Sequence, residues 1–155
     1  MEKKAFQDLL PDEISHCYGC GRNNQNGLQI KSYWDGEKTV CNWIPQEQFM
    51  AGKNFLCGGI IATLIDCHGL NTAIAVAYKE EGREIGSKPF IPYATGSISI
   101  KLLCPNPLNH EIMIRGQVKS INLSKIIVLC RLYSNEKECA QGEITAVKVS
   151  ENFWK

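Results

Sequence analysis

The sequence predicts an α+β domain: a six-stranded, mainly antiparallel curved sheet wrapped around one long central helix. Three observations lead there. Residues 58–78 contain no proline and are apolar on nearly every face, and their length and alanine content favour helix over strand. A helix that is hydrophobic all round needs a cover, most economically a curved sheet. Two strand-like segments precede it and four follow, an order that fits a sheet layered on one helix.

Taken in order, residues 1–16 read as a polar lead-in with a short helical piece around residues 4–10, ended by Pro11. Residues 17–27 are rich in glycine and asparagine and read as turns. A strand pattern runs over residues 28–34, turns at Asp35-Gly36, and returns over residues 39–44 until Pro45. After the helix, a loop over residues 79–93 brings the chain back. Ile98, Ile100 and Leu102 alternate with polar residues, as do Ile112, Ile114 and Val118. Residues 126–133 are nearly continuous and β-branched, the pattern of a central strand. Residues 140–149 change phase near Ala146-Val147, which predicts a bulge there. The expected organisation is a lead-in (1–16), one domain (17–150) and a short tail (151–155).

A chain of 155 residues that is 44% hydrophobic can bury one real core. A formal charge of +1 offers no field for nucleic acid or a membrane surface, so neither is expected as a partner. The opening Met1-Glu2-Lys3-Lys4-Ala5-Phe6 lacks the apolar segment of a signal peptide, and the apolar helix is interrupted by Asp66, His68 and Asn71. A cytoplasmic location is the expectation. Eight cysteines without a secretory signal read as reduced, mostly buried thiols rather than a disulfide framework. Cys17 and Cys20 form a CxxC pair, but zinc wants four ligands, and only His16 and Cys41 offer themselves without a clean second pair. No metal and no cofactor is expected.

The most informative stretch is residues 57–66, Cys-Gly-Gly-Ile-Ile-Ala-Thr-Leu-Ile-Asp. Gly58 and Gly59 leave free N–H groups at the positive end of a helix dipole, which suits a developing oxyanion. Asp66 is an ionisable group on a greasy helix, costly unless something pairs or uses it. The bland alternatives are tight packing for the glycines and a structural hydrogen bond for the carboxylate. Thr63 and Asn71 are polar contacts either to this site or to the facing sheet. Lys101 and Arg115 read as sheet-surface charges, and His68 as a core or sheet-bonded histidine.

The element order and four motifs resemble the hotdog-fold acyl-CoA thioesterases, in the PaaI-like and thioesterase-superfamily-member-4-like branch. The motifs are Cys17-Tyr18-Gly19-Cys20-Gly21 with Asn23 to Leu28, the Gly58-Gly59…Asp66 helix start, the strand leading to Pro105-Asn106-Pro107, and the alternating tail. The resemblance implies that Gly58 N–H polarises a thioester carbonyl and that Asp66 activates water or attacks the carbonyl itself. Gly59 N–H would assist, with Cys57 and Thr63 placed against the substrate. Eight residues of helix rise roughly 12 Å, so one thioester cannot reach both Gly58 and Asp66 of the same helix. The implied site is shared between the subunits of a homodimer, with further pairing into a tetramer left open. The implied reaction is hydrolysis of an acyl-CoA or related thioester to free acid and thiol. The family usually carries histidine where this chain has Cys57, which reads as a passive small residue or as a nucleophile activated at a helix N-terminus. The alternative function is a non-catalytic hotdog protein that binds acyl-CoA or a protein partner.

Overall fold

The computed structural model describes residues 2–155. After a short helix α1 (Phe6–Leu9) come strands β1 (Tyr33–Asp35) and β2 (Lys38–Trp43). The long helix α2 (Gly58–Glu80) follows, then β3 (Tyr93–Leu102), β4 (Ile112–Ile121), β5 (Lys125–Ser134) and β6 (Lys137–Lys148). All six strands join one antiparallel sheet in the order β1-β2-β4-β5-β6-β3. The sheet packs around α2, so the predicted architecture is the one observed. By length and composition α2 would suffice to cross a membrane, but most of its residues are buried against the sheet.

β5 lies between β4 and β6, as its β-branched run predicts. Its burial nevertheless alternates strictly, with Ile126, Val128, Cys130 and Leu132 facing the helix and Leu129 on the outer face. The sheet is thus covered on one side only, as antiparallel sheets permit.

Three local expectations need correction. Residues 28–32 form no sheet strand, because Leu28 and Ile30 donate their N–H groups to Tyr18 and Gly19 instead. Gln29 between them adopts a left-handed φ of 55° that breaks the alternation, and β1 begins only at Tyr33. The turn that follows is Gly36-Glu37, flanked by the Asp35–Lys38 pair, and Gly36 has the positive φ this two-residue hairpin needs. The bulge expected near Ala146 is real but sits on the partner strand. The register of β3 slips at Gly96, opposite Ala146 and Thr145, whereas β6 keeps its phase there and slips instead at Cys139.

Close approach of α2 to the sheet depends on two glycines. A Cβ on Gly69 would lie 2.5 Å from Ile144 Cγ1, and one on Gly142 would lie 2.4 Å from Ile65 Cγ2. Residues 5–10 dock on the domain: Ala5, Phe6 and Leu10 are buried, and Phe6 N–H bonds Ser32 C=O.

One polar cluster crosses this core. His68 is fully buried on α2, and burial pushes its pKa down to about 4, so the ring is neutral at pH 7. The hydroxyl of Thr72 donates to His68 C=O, so the Thr39 hydroxyl donates to Thr72 and must accept from His68 Nε2–H. Ser32 Oγ, which receives the Gln7 amide, then donates to His68 Nδ1 at 2.9 Å. Every proton in the chain has one place to go, which confirms the structural reading of His68. Gly116 makes the space, since a Cβ there would lie 2.4 Å from Thr39 Oγ1 and 3.0 Å from His68 Nε2.

Candidate active site

The start of α2 is pinned by two backbone bonds, Leu56 N–H to Asn106 C=O and Cys57 N–H to Phe49 C=O. Cys57 is the N-cap residue, half-buried and extended (φ −63°, ψ 135°), and its thiol caps nothing. The N–H groups of Gly58 and Gly59 have no partner among the described residues, as expected for the first turn of a helix. Neither glycine is there to relieve crowding. A Cβ on Gly58 would meet only the mobile end of Leu102 at 3.1 Å, and one on Gly59 only Cys57 Sγ at 3.8 Å.

Two turns on, Asp66 points towards β3, where Thr95 Oγ1 donates to its Oδ1 at 2.7 Å. Burial pushes the carboxyl above its ordinary pKa, the Thr95 hydrogen bond partly offsets this, and the nearby Cys17 raises it further. The carboxyl borders a cavity of about 650 Å³ lined by Leu70, Ile74, Tyr93, Thr95 and Trp154 among others. Its wall is mainly apolar and carries two carboxylic acids, Asp66 and Glu13. A chamber of this kind can hold an apolar group beside a carboxyl of raised pKa.

Thr95 was not singled out by sequence reasoning, and the Gly96 bulge explains why. Before the bulge the helix-facing positions of β3 are odd-numbered, and after it Ile98 and Ile100 take over. The only signal was the polar residue beside Gly96. Thr63 lies one turn before Asp66, where its hydroxyl donates to Gly59 C=O and bonds the phenol of Tyr18. Tyr18 thus ties the loop that carries Cys17 and Cys20 to the first turns of α2. Asn71 faces the same cavity, donating to Cys67 C=O and to Cys20 Sγ. Arg115 pairs with Asp35 on the outer surface, as a sheet-surface charge should.

The eight cysteines are unbridged among the described residues, and four of them are buried. Cys17 and Cys20 meet Cys67 of α2, whereas His16 and Cys41 stand outside this cluster. Thiol protons from Cys20 and Cys67 hold Cys17 well below its ordinary pKa, while Cys20 and Cys67 are pushed up.

Within one chain the structure joins Asp66 to Thr95 and, one helical turn earlier, Thr63 to Tyr18. Gly58 and Gly59 remain at the far end of the same helix, two turns away.

No protein-family model matches the chain, and no curated protein matches it. Solved structures do. A thioesterase superfamily protein from Shewanella loihica PV-4 is 32% identical, with 90% of this chain and 98% of that one covered at a TM-score of 0.67. The E. coli PaaI protein from the phenylacetic acid degradation operon shares the fold at 14% identity, covering 79% and 81% with a TM-score of 0.65. Zebra fish thioesterase superfamily member 2 does so at 20% identity, covering 88% and 94% with a TM-score of 0.64. With the helix-wrapping sheet and the Gly58-Gly59…Asp66 arrangement beside these likenesses, the chain belongs to the thioesterase superfamily and has its hotdog fold.

Proposed function

We propose that this protein hydrolyses an acyl-CoA or related thioester to free acid and thiol, in a site assembled from two subunits. The observation that carries the reading is the carboxyl of Asp66, hydrogen-bonded to Thr95 on an edge strand and facing a mainly apolar cavity. The thioester carbonyl would take its oxyanion partners, Gly58 N–H and Gly59 N–H, from the neighbouring subunit. Asp66 would draw a proton from water as it adds to the carbonyl, or add to the carbonyl itself before water releases the acid. Either route returns one carboxylic acid and one thiol for each water consumed. Cys57 and Thr63 flank the oxyanion end and would line the path of the substrate.

The backbone permits an unusually direct test. Proline is tolerated at the first helical position, and Cys57 already has the extended conformation that a residue before proline prefers. Gly58→Pro therefore removes the N–H in question with little cost to the fold. Thiol release should fall about 10²–10³-fold, the usual effect of losing one oxyanion donor. Asp66→Ala should be inactive as well. Co-expressed, the two variants should recover up to about a quarter of the parent rate, because random pairing rebuilds one intact site in each mixed dimer. Mixed dimers without activity would place both groups' functions within one chain and end the shared-site proposal. Acyl-CoA binding without turnover, on short, long and aromatic acyl chains alike, would favour a binding protein instead.

A further inference from the structure

We propose that Cys17, Cys20 and Cys67 form a thiolate site for one Zn²⁺ ion, at the point where the turn-rich loop crosses the central helix. Sequence spacing offers only the CxxC pair, and the third thiol comes from α2, 47 positions beyond Cys20. The three sulfur atoms all lie within 4.8 Å of one another, and Cys17 Sγ is 3.8 Å from Cys67 Sγ. Zinc–sulfur bonds of about 2.3 Å in a tetrahedron place sulfur atoms roughly 3.8 Å apart. An ion can therefore enter with small side-chain adjustments and no movement of the backbone.

The loop is shaped for this approach. A Cβ on Gly19 would lie 2.4 Å from Cys67 Sγ, and one on Gly21 would lie 2.5 Å from both Cys17 N and Ser15 O. Supporting donors surround the sulfurs: Gly19 N–H points at Cys17 Sγ at 3.4 Å, and the Asn71 amide donates to Cys20 Sγ at 3.5 Å. Such outer contacts orient ligands and stabilise thiolates. Asn71 supplies the second, independent sign. It is 2% exposed, its amide nitrogen is committed, and its Oδ1 has no donor among the described residues. Three protein thiolates leave the fourth zinc position to water, and that water would donate to Asn71 Oδ1. Thiolate ligands select zinc over magnesium or calcium, and exposed Cys17 gives the ion a way in.

The test uses the full-length, freshly reduced protein and Zn²⁺ itself, in competition with a chromophoric chelator, so it does not depend on the proposed thioesterase activity. One equivalent per chain should bind, and Co²⁺ in its place should show thiolate-to-metal charge transfer and tetrahedral bands. Cys17→Ser and Cys67→Ser lie on different elements, and each should cost more than the about 10–100-fold typical of an outer-shell loss. Cys104→Ser should bind as the parent does, although its sulfur sits 2.9 Å from that of Cys139. Reduced protein that takes up no zinc, or Cys67→Ser that binds it unchanged, overturns the site. So does an octahedral cobalt spectrum.

Discussion

Asp66 and Cys130 are both ionisable groups enclosed by the same helix and sheet, and the fold treats them differently. Asp66 has Thr95 as a donor and an open cavity beside it, whereas Cys130 is sealed between α2 and β5 with only a long contact to Ile65 C=O. Burial pushes the Cys130 thiol up to about 12 from 9.0, with smaller contributions from Cys41 and Asp66. Its folded pKa is therefore raised, so its contribution to stability is complete below pH 9.0 and is lost as the pH rises towards 12. Cys130→Ala should accordingly lose less relative to the parent in alkali than at neutral pH. The gap between them should narrow by about 1–2 kcal/mol by pH about 10.5, measured by urea unfolding at each pH. A gap that stays constant would mean the thiol is not held neutral. Asp66 could be picked out from sequence because a charge on an apolar helix is conspicuous. Thr95 and Cys67 could not, because their partners lie 29 and 50 positions away and the first contact depends on a bulge.

At the scale of elements, the helix was legible from its length, alanine content and lack of proline, and the last four strands from alternation or a β-branched run. Residues 28–32 were not, because their alternation is that of a strand while their hydrogen bonds go to the preceding loop. The closeness of α2 to the sheet is set by absent side chains, which no hydrophobic pattern reveals. Gly142→Ala should destabilise the fold by about 1–3 kcal/mol, the range for overpacking, because the new methyl would meet Ile65 Cγ2 at 2.4 Å. A midpoint of chemical unfolding equal to that of the parent would show that the helix can retreat without cost. Gly58 and Gly59 obey a different rule: a Cβ would meet only the end of the Leu102 side chain at Gly58 and only Cys57 Sγ, at ordinary contact distance, at Gly59, so neither is demanded by backbone packing.

For the whole molecule, the outer edge of β3 has no strand partner among the described residues. Ile98 and Leu102 on it are 46% and 57% exposed, and Leu103 just beyond is 49% exposed. An unprotected apolar edge invites pairing with another chain, and this one borders both Thr95 and the Leu102 contact to Gly58. Ile98→Lys should shift sedimentation towards the monomer and reduce thiol release in parallel. A monomeric variant with full activity would separate assembly from catalysis. The neutral histidine chain has a consequence at this scale too. A cylinder that is greasy all round can be turned about its axis at little hydrophobic cost, yet Asp66 meets Thr95 in only one such setting. His68, bonded on one side to Ser32 and on the other to Thr39, acts as an index pin for that rotation. The angular setting of the candidate base is thus fixed two residues away, by a group that never changes charge at neutral pH.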